Sequence, residues 1–159
     1  MESVPIERIG VALALLACAS CGGSQLEGSL STVLDLHYSR TSAANGPDQA
    51  VVRFIQPLDS GENVVLQVGA QLVGLDPNTL QFDLAESISP NNQRGVISRN
   101  VLNDPRTTFP PLVRGRLQFN APLVAGKSVS GSFNATFADG TTFASGRTVF
   151  GSFGATVVQ

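Results

Sequence analysis

The sequence predicts an all-β fold: an antiparallel β-sandwich, with a closed β-barrel as the alternative, preceded by a short apolar signal segment. Three observations predict it. Apolar and polar side chains alternate with a period of two from Gly28 onward. Turn chemistries recur at strand-length intervals. No stretch carries an apolar stripe at i, i+3, i+4 and i+7, and only Asp83–Ile88 has room for a helical turn.

The first alternating segment is Ser29–Tyr38. Leu30, Leu34, Leu36 and Tyr38 share one parity there, Ser31, Asp35 and His37 take the other, and Val33 is the exception. Asn63–Val73 repeats the pattern with Val64, Leu66, Val68, Ala70 and Leu72 inward. Shorter alternations follow in Leu80–Leu84, Val113–Phe119 and Ser128–Phe137. Asn45-Gly46-Pro47-Asp48, Asp59-Ser60-Gly61, Asp76-Pro77-Asn78, Pro90-Asn91-Asn92 and Asp139-Gly140 punctuate the chain as turns, and Asn103–Pro111 is a longer irregular stretch. Gly131-Ser-Phe-Asn-Ala-Thr-Phe137 recurs as Gly151-Ser-Phe-Gly-Ala-Thr-Val157, which reads as two similar strands filling equivalent core positions. Thr141–Thr148 is expected as a further strand between them. Two copies are too few for a solenoid. Parity makes Leu34, Leu66, Phe133 and Phe153 core residues.

A chain of 159 residues holds one domain and no more. With 42% hydrophobic and 14% charged residues it is not a disordered chain. A net charge of −2 excludes a strongly basic nucleic-acid binder, and no nucleic-acid partner is expected. There is no Trp, one Tyr and one His, so the usual catalytic and metal-binding inventory is nearly empty.

The N-terminal segment reads as an address. Arg8 ends a short leading region, Ile9–Ala17 is apolar, and Ala19 and Ser20 precede Cys21, the order of a secretory signal. As a helix the apolar run would extend about 14 Å, roughly half a bilayer core, so it is no membrane span. Both cysteines, Cys18 and Cys21, lie here, which excludes a disulfide framework for the domain. The pattern resembles the lipobox of bacterial lipoproteins, in which a Cys after small residues is diacylated and becomes the mature N-terminus. Leu15-Leu16-Ala17-Cys18 fits the lipobox side chains. Cys18-Ala19-Ser20-Cys21 is followed by a flexible Gly22-Gly23-Ser24 tether and leaves no stray thiol after cleavage, and Cys21 is favoured with Cys18 as the alternative. The GSF-x-AT strand ends are also similar to those of uncharacterised bacterial lipoproteins with β-sandwich bodies. The resulting division is a signal peptide over 1–20, a tether over 21–27 and one all-β domain over 28–159. The resemblance implies an anchor in the cell envelope. It implies the outer membrane if the cell is diderm, because neither Ala19 nor Gly22 is Asp. Two or more acyl chains hold stably at ~0.8 kcal/mol per buried methylene.

Candidate chemistry is sparse. His37 and Asp35 share a polar face as a conceivable base and orienter, although a solvated polar row is the plainer reading. Asp83 with Glu86, or Asp59 with Glu62, supply carboxylate pairs, but sugar-stacking aromatics are missing. Asp76-x-Asn78 lacks the further carboxylates of a calcium loop and reads as a turn. Asn134-Ala-Thr136 is a glycosylation sequon in mid-strand and is discarded. The charge anomaly is Arg94, Arg99, Arg106, Arg114 and Arg116, in a stretch whose only acid is Asp104. Guanidinium groups fit phosphate and carboxylate, so these are candidate contacts for an anion or a partner; they also tie loops through backbone carbonyls, with Asp104-Pro105-Arg106 as such a clasp. Arg114 and Arg116 share a face if Val113, Leu117 and Phe119 point inward. No catalytic residue, metal or cofactor is assigned. The expected function is a lipid-anchored, non-enzymatic envelope domain that binds or scaffolds an envelope protein or an anionic glycan or lipid. The alternative is a small-ligand carrier with an apolar barrel cavity.

Overall fold

Residues 25–159 are described by the structure, a computed structural model. Its strands are β1 (Gln25–Glu27), β2 (Arg40–Asn45), β3 (Gln49–Leu58), β4 (Gly61–Gln71), β5 (Gln81–Asp83), β6 (Ser87–Ser89), β7 (Asn92–Gln93), β8 (Gly95–Asn100), β9 (Leu112–Phe119), β10 (Ser128–Phe137) and β11 (Thr148–Val158). Nine of them form one sheet in the order β5-β9-β10-β11-β2-β3-β4-β8, with β1 added along β11; β6 and β7 make a separate hairpin. The fold is all-β, and the sheet curls nearly to closure. This is the barrel-like alternative rather than two facing sheets.

One pairing departs from the antiparallel expectation. β11 runs parallel to β2, through Thr156–Ser42, Val157–Ala43 and Val158–Ala44. The reason lies in the edge of β11, which two strands share. β1 takes its first part, antiparallel, from Gln25–Ser152 to Glu27–Phe150. The chain then reverses before β2 takes the rest.

Closure depends on residues between β5 and β8. The Leu84 N–H donates to the Gly115 carbonyl at 3.0 Å, and the Leu84 carbonyl accepts from the Gly95 N–H at 2.8 Å. One residue thus stitches β9 to β8. Beside it the Gln93 amide accepts from the Leu112 N–H and donates to the Leu112 carbonyl, each at 2.7 Å, so a side chain replaces one backbone rung. Leu84 is fully buried. A Cβ on Gly95 would stand 2.7 Å from the Leu84 Cβ, and one on Gly115 2.9 Å from it, which is why glycine flanks this seam.

The interior is filled by aromatic rings. Phe54 lies 5.6 Å from Phe133 and 6.4 Å from Phe153, and Phe119 lies 5.5 Å from Phe153, in tilted or edge-on geometries. Leu34, Leu66, Phe133 and Phe153 are buried, as parity predicts.

Three local expectations are corrected. Ser29–Tyr38 is not a strand but a 3-10 turn over Ser29–Thr32 followed by irregular chain, although Leu30, Leu34 and Leu36 are buried. The Val33 and Leu34 N–H groups donate to the Leu30 carbonyl within the turn, and arginine side chains rather than a ladder take the Val33 and Asp35 carbonyls. Thr141–Thr148 is a loop up to Arg147, with Thr148 opening β11; Phe137 and Arg147 already bond across it. Asp83–Ile88 contains a turn, not a helical one, and leads into the β6–β7 hairpin.

Candidate functional site

Three of the five candidate arginines are committed inside the molecule. Arg94 donates from Nε to Glu86 at 2.5 Å and from Nη1 to the Gln71 and Val73 carbonyls, with its side chain 5% exposed. That bond holds the Glu86 carboxyl below its ordinary range. Arg99 is 3% exposed at its side chain and donates to the carbonyls of Asp35 and Val65 and to Asp104. Arg106 grips Asp104 through Nε and Nη2 at 2.8 and 2.9 Å and donates to the Val33 carbonyl. The side-chain and backbone bonds from Arg106 hold the Asp104 carboxyl far below the usual carboxylate range. The buried Arg94 and Arg99 present no open guanidinium to an external anion, which corrects their place among the contact candidates; Arg106 remains half in water but is bonded through all three donors.

Together these groups clip down the N-terminal segment. Arg99 and Arg106 take the Asp35 and Val33 carbonyls, and Arg147, which the sequence did not single out, takes the Ser29 carbonyl at 3.2 Å and the Thr32 hydroxyl at 2.9 Å. Leu30, Leu34 and Leu36 close one end of the barrel beneath them.

Arg114 and Arg116 are different. Both are exposed on the outer face of β9, opposite Thr136 and Asn134, with Asp83 across from Arg116 on the other side. Neither makes an ion pair or a side-chain hydrogen bond among the described residues. Their shared face is as expected, but Val113 does not point inward. The ladder shifts register between Thr136 and Phe137, Leu112 takes the inward position, and Val113 is 54% exposed. Beyond Asn134 the outer face of β10 and β11 is uncharged: Ser128, Ser130, Ser132, Thr136, Thr148, Ser152 and Thr156, with Phe150 and Val158 as its exposed large apolar side chains.

Most of the remaining candidates have local partners. Asp35 accepts from the backbone N–H and the ring of His37, and the former bond leads in holding its carboxyl low; the His37 side chain is 93% exposed. Glu62 pairs with Arg40, and Asp83 accepts from the Ala85 N–H. Asp76 accepts from the Asn78 N–H at 2.7 Å in an Asx turn. Among the described residues no cluster of His, Cys, Asp and Glu has metal-binding geometry. No described helix is long and apolar enough to cross a membrane. Cys18 and Cys21 lie outside the described residues.

At the end of the barrel opposite the leucine plug, a hollow of about 380 Å³ opens between the β2–β3 turn, the β4–β5 loop and the β9–β10 loop. Its floor is Ala50, Phe82 and Phe119. Alternation in the sequence marks the strands of Phe82 and Phe119 but not β3, which carries Ala50, nor the hollow, since which loops gather at one end depends on strand order.

The geometry defines a small, nearly closed β-barrel domain with a cationic pair on its wall and a hollow of mixed polarity at its mouth. The chain matches no family model, no curated protein and no solved structure.

Proposed function

We propose that this is a lipid-anchored, non-enzymatic domain of the cell envelope that recognises an anionic surface through Arg114 and Arg116. The observation that carries the reading is their unpaired state, against a background in which Arg94, Arg99 and Arg106 all have internal partners. Two like charges two residues apart on one strand repel, and the single acid across from them, Asp83 opposite Arg116, cannot offset both, so an anionic counterpart outside the chain relieves them. Phosphate and carboxylate both suit a guanidinium fork. The hydroxyl-rich outer face of β10 and β11 beside the pair carries no charge of its own, with Asp83 on β5 and Glu27 on β1 as the acids at its margins.

The test is a double reversal, Arg114→Glu with Arg116→Glu, assayed by co-sedimentation with phosphatidylglycerol-containing vesicles. The expected result is an unchanged melting temperature with binding lost, and wild-type binding that weakens with added salt. A reversed protein that keeps both its melting temperature and its binding overturns the proposal. The anchor is checked separately by intact mass of the membrane fraction. A chain beginning at Cys21 and carrying acyl groups is expected, and an unmodified chain retaining residues 1–20 overturns it.

A further inference from the structure

The hollow at the mouth, leucine-walled with a polar rim, carries an inference independent of the arginine face; it rests on the small-ligand reading instead. We infer that the hollow between the three loops is a binding site for a small single-chain amphiphile whose head is neutral or cationic.

The site is preformed. Each of its three loops contributes one proline, Pro47, Pro77 and Pro122, whose fixed φ reduces the freedom each loop would lose on binding. The loops are also tied together. The Leu72 N–H donates to the Asp48 carbonyl and the Phe119 N–H to the Leu80 carbonyl, both at 2.8 Å, so the rim is stitched by backbone bonds. Within it Leu72, Leu75, Leu80 and Leu123 stand half-buried above the floor. The part of these leucines that still faces the hollow offers an apolar wall for a short alkyl chain. About 380 Å³ lies near the lower end of ligand-pocket sizes, room for a short alkyl chain rather than a folded lipid.

Polarity selects the head group. The polar side chains around the hollow are Asn45, Asp76 and Thr79, and no Lys, Arg or His lines it. Asp76 Oδ1 holds the Asn78 N–H, and its carbonyl holds the Thr79 N–H, which fixes the carboxylate at the rim. An ammonium or hydroxyl head meets an acceptor there. A carboxylate or phosphate head meets a like charge with no cation to offset it.

Calorimetric titration of the full chain with octan-1-ol, octylamine and octanoate tests this, with thermal melts alongside. Octylamine is expected to bind about five-fold more tightly than octanoate, because the exposed carboxylate attracts the ammonium head and repels the carboxylate one. Asp76→Asn keeps the turn, because an amide oxygen accepts the same Asn78 N–H. It should bring octylamine down to the octanol affinity while leaving octanol unchanged. Ala50→Leu fills the floor and should abolish binding of all three. The proposal is overturned if octylamine shows no saturable binding, if octanoate binds as tightly, or if Asp76→Asn leaves the preference intact. Retained binding in a folded Ala50→Leu protein overturns it as well. The Arg114→Glu/Arg116→Glu protein should bind octylamine like the wild type, so failure here and failure of the anionic-surface reading are separable.

Discussion

At the scale of single residues, the clearest device is the reciprocal fit of the repeated GSF motif. In the β10–β11 ladder Gly131 lies opposite Phe153, and Phe133 lies opposite Gly151, so each phenyl ring sits across from the other strand's glycine. The repeat in the sequence shows that the two strands fill equivalent slots. It does not show that they are neighbours, because alternation specifies a face and is silent about which strand lies alongside. A Cβ on Gly131 would come within 2.5 Å of the Phe153 ring and closer still to the Gln118 carbonyl. Gly131→Ala should therefore destabilise the protein by ~1–3 kcal/mol, as overpacking does, while Gly154→Ala, whose Cβ would meet nothing within 4 Å, should stay within ~0.5 kcal/mol. Urea melts of the two variants check this, and equal effects would remove steric fit as the reason for glycine at 131.

Among the elements, the segment from Ser29 to Tyr38 shows what period-two alternation reports. Leu30, Leu34 and Leu36 are buried as the pattern requires, yet the backbone has no strand neighbour, and arginines from three separate parts of the chain take that role by donating to its carbonyls. Periodicity records which side chains leave water; it cannot record what bonds the main chain. The same clasp sets an acid response. Arg106 and Arg99 hold the Asp104 carboxyl well below its ordinary value of 3.8. A lowered folded-state value contributes stability that is present above the unfolded-state pKa and lost as pH falls toward the folded one. Glu86, held by Arg94, and Asp35, held by His37, act in the same direction. The melting temperature should fall on acidification below about pH 4. Asp104→Asn should melt lower at pH 7 and decline less steeply in acid. A wild-type melting temperature that is flat from pH 5 to pH 2 would sink this account.

For the whole molecule, all-β class and most turns were legible because they follow from local rules: alternation for strands, and Asn, Asp, Gly and Pro for reversals. Closure was not. It depends on Leu84, an ordinary apolar residue, and on Gln93, a polar residue next to a turn, whose amide serves as a backbone rung only because strand order brings Leu112 beside it. The arginine cluster was legible as an anomaly, but its division into three internal ties and two free cations required knowing which loops meet. The parallel junction was equally hidden, since nothing in β2 or β11 marks the direction of a neighbour.

That junction bears on how the chain matures. Among the described residues β1 has no strand partner but β11, and β2, which pairs with β3 along one edge, also needs β11 to cover the other. Pairings of such long sequence separation form late. During synthesis β2 can pair with β3 at once, but β1 emerges long before its partner exists, and the barrel stays open until β11 has left the ribosome. For a chain exported as proposed above, that delay is useful, because a barrel that cannot close early remains threadable through a translocation channel.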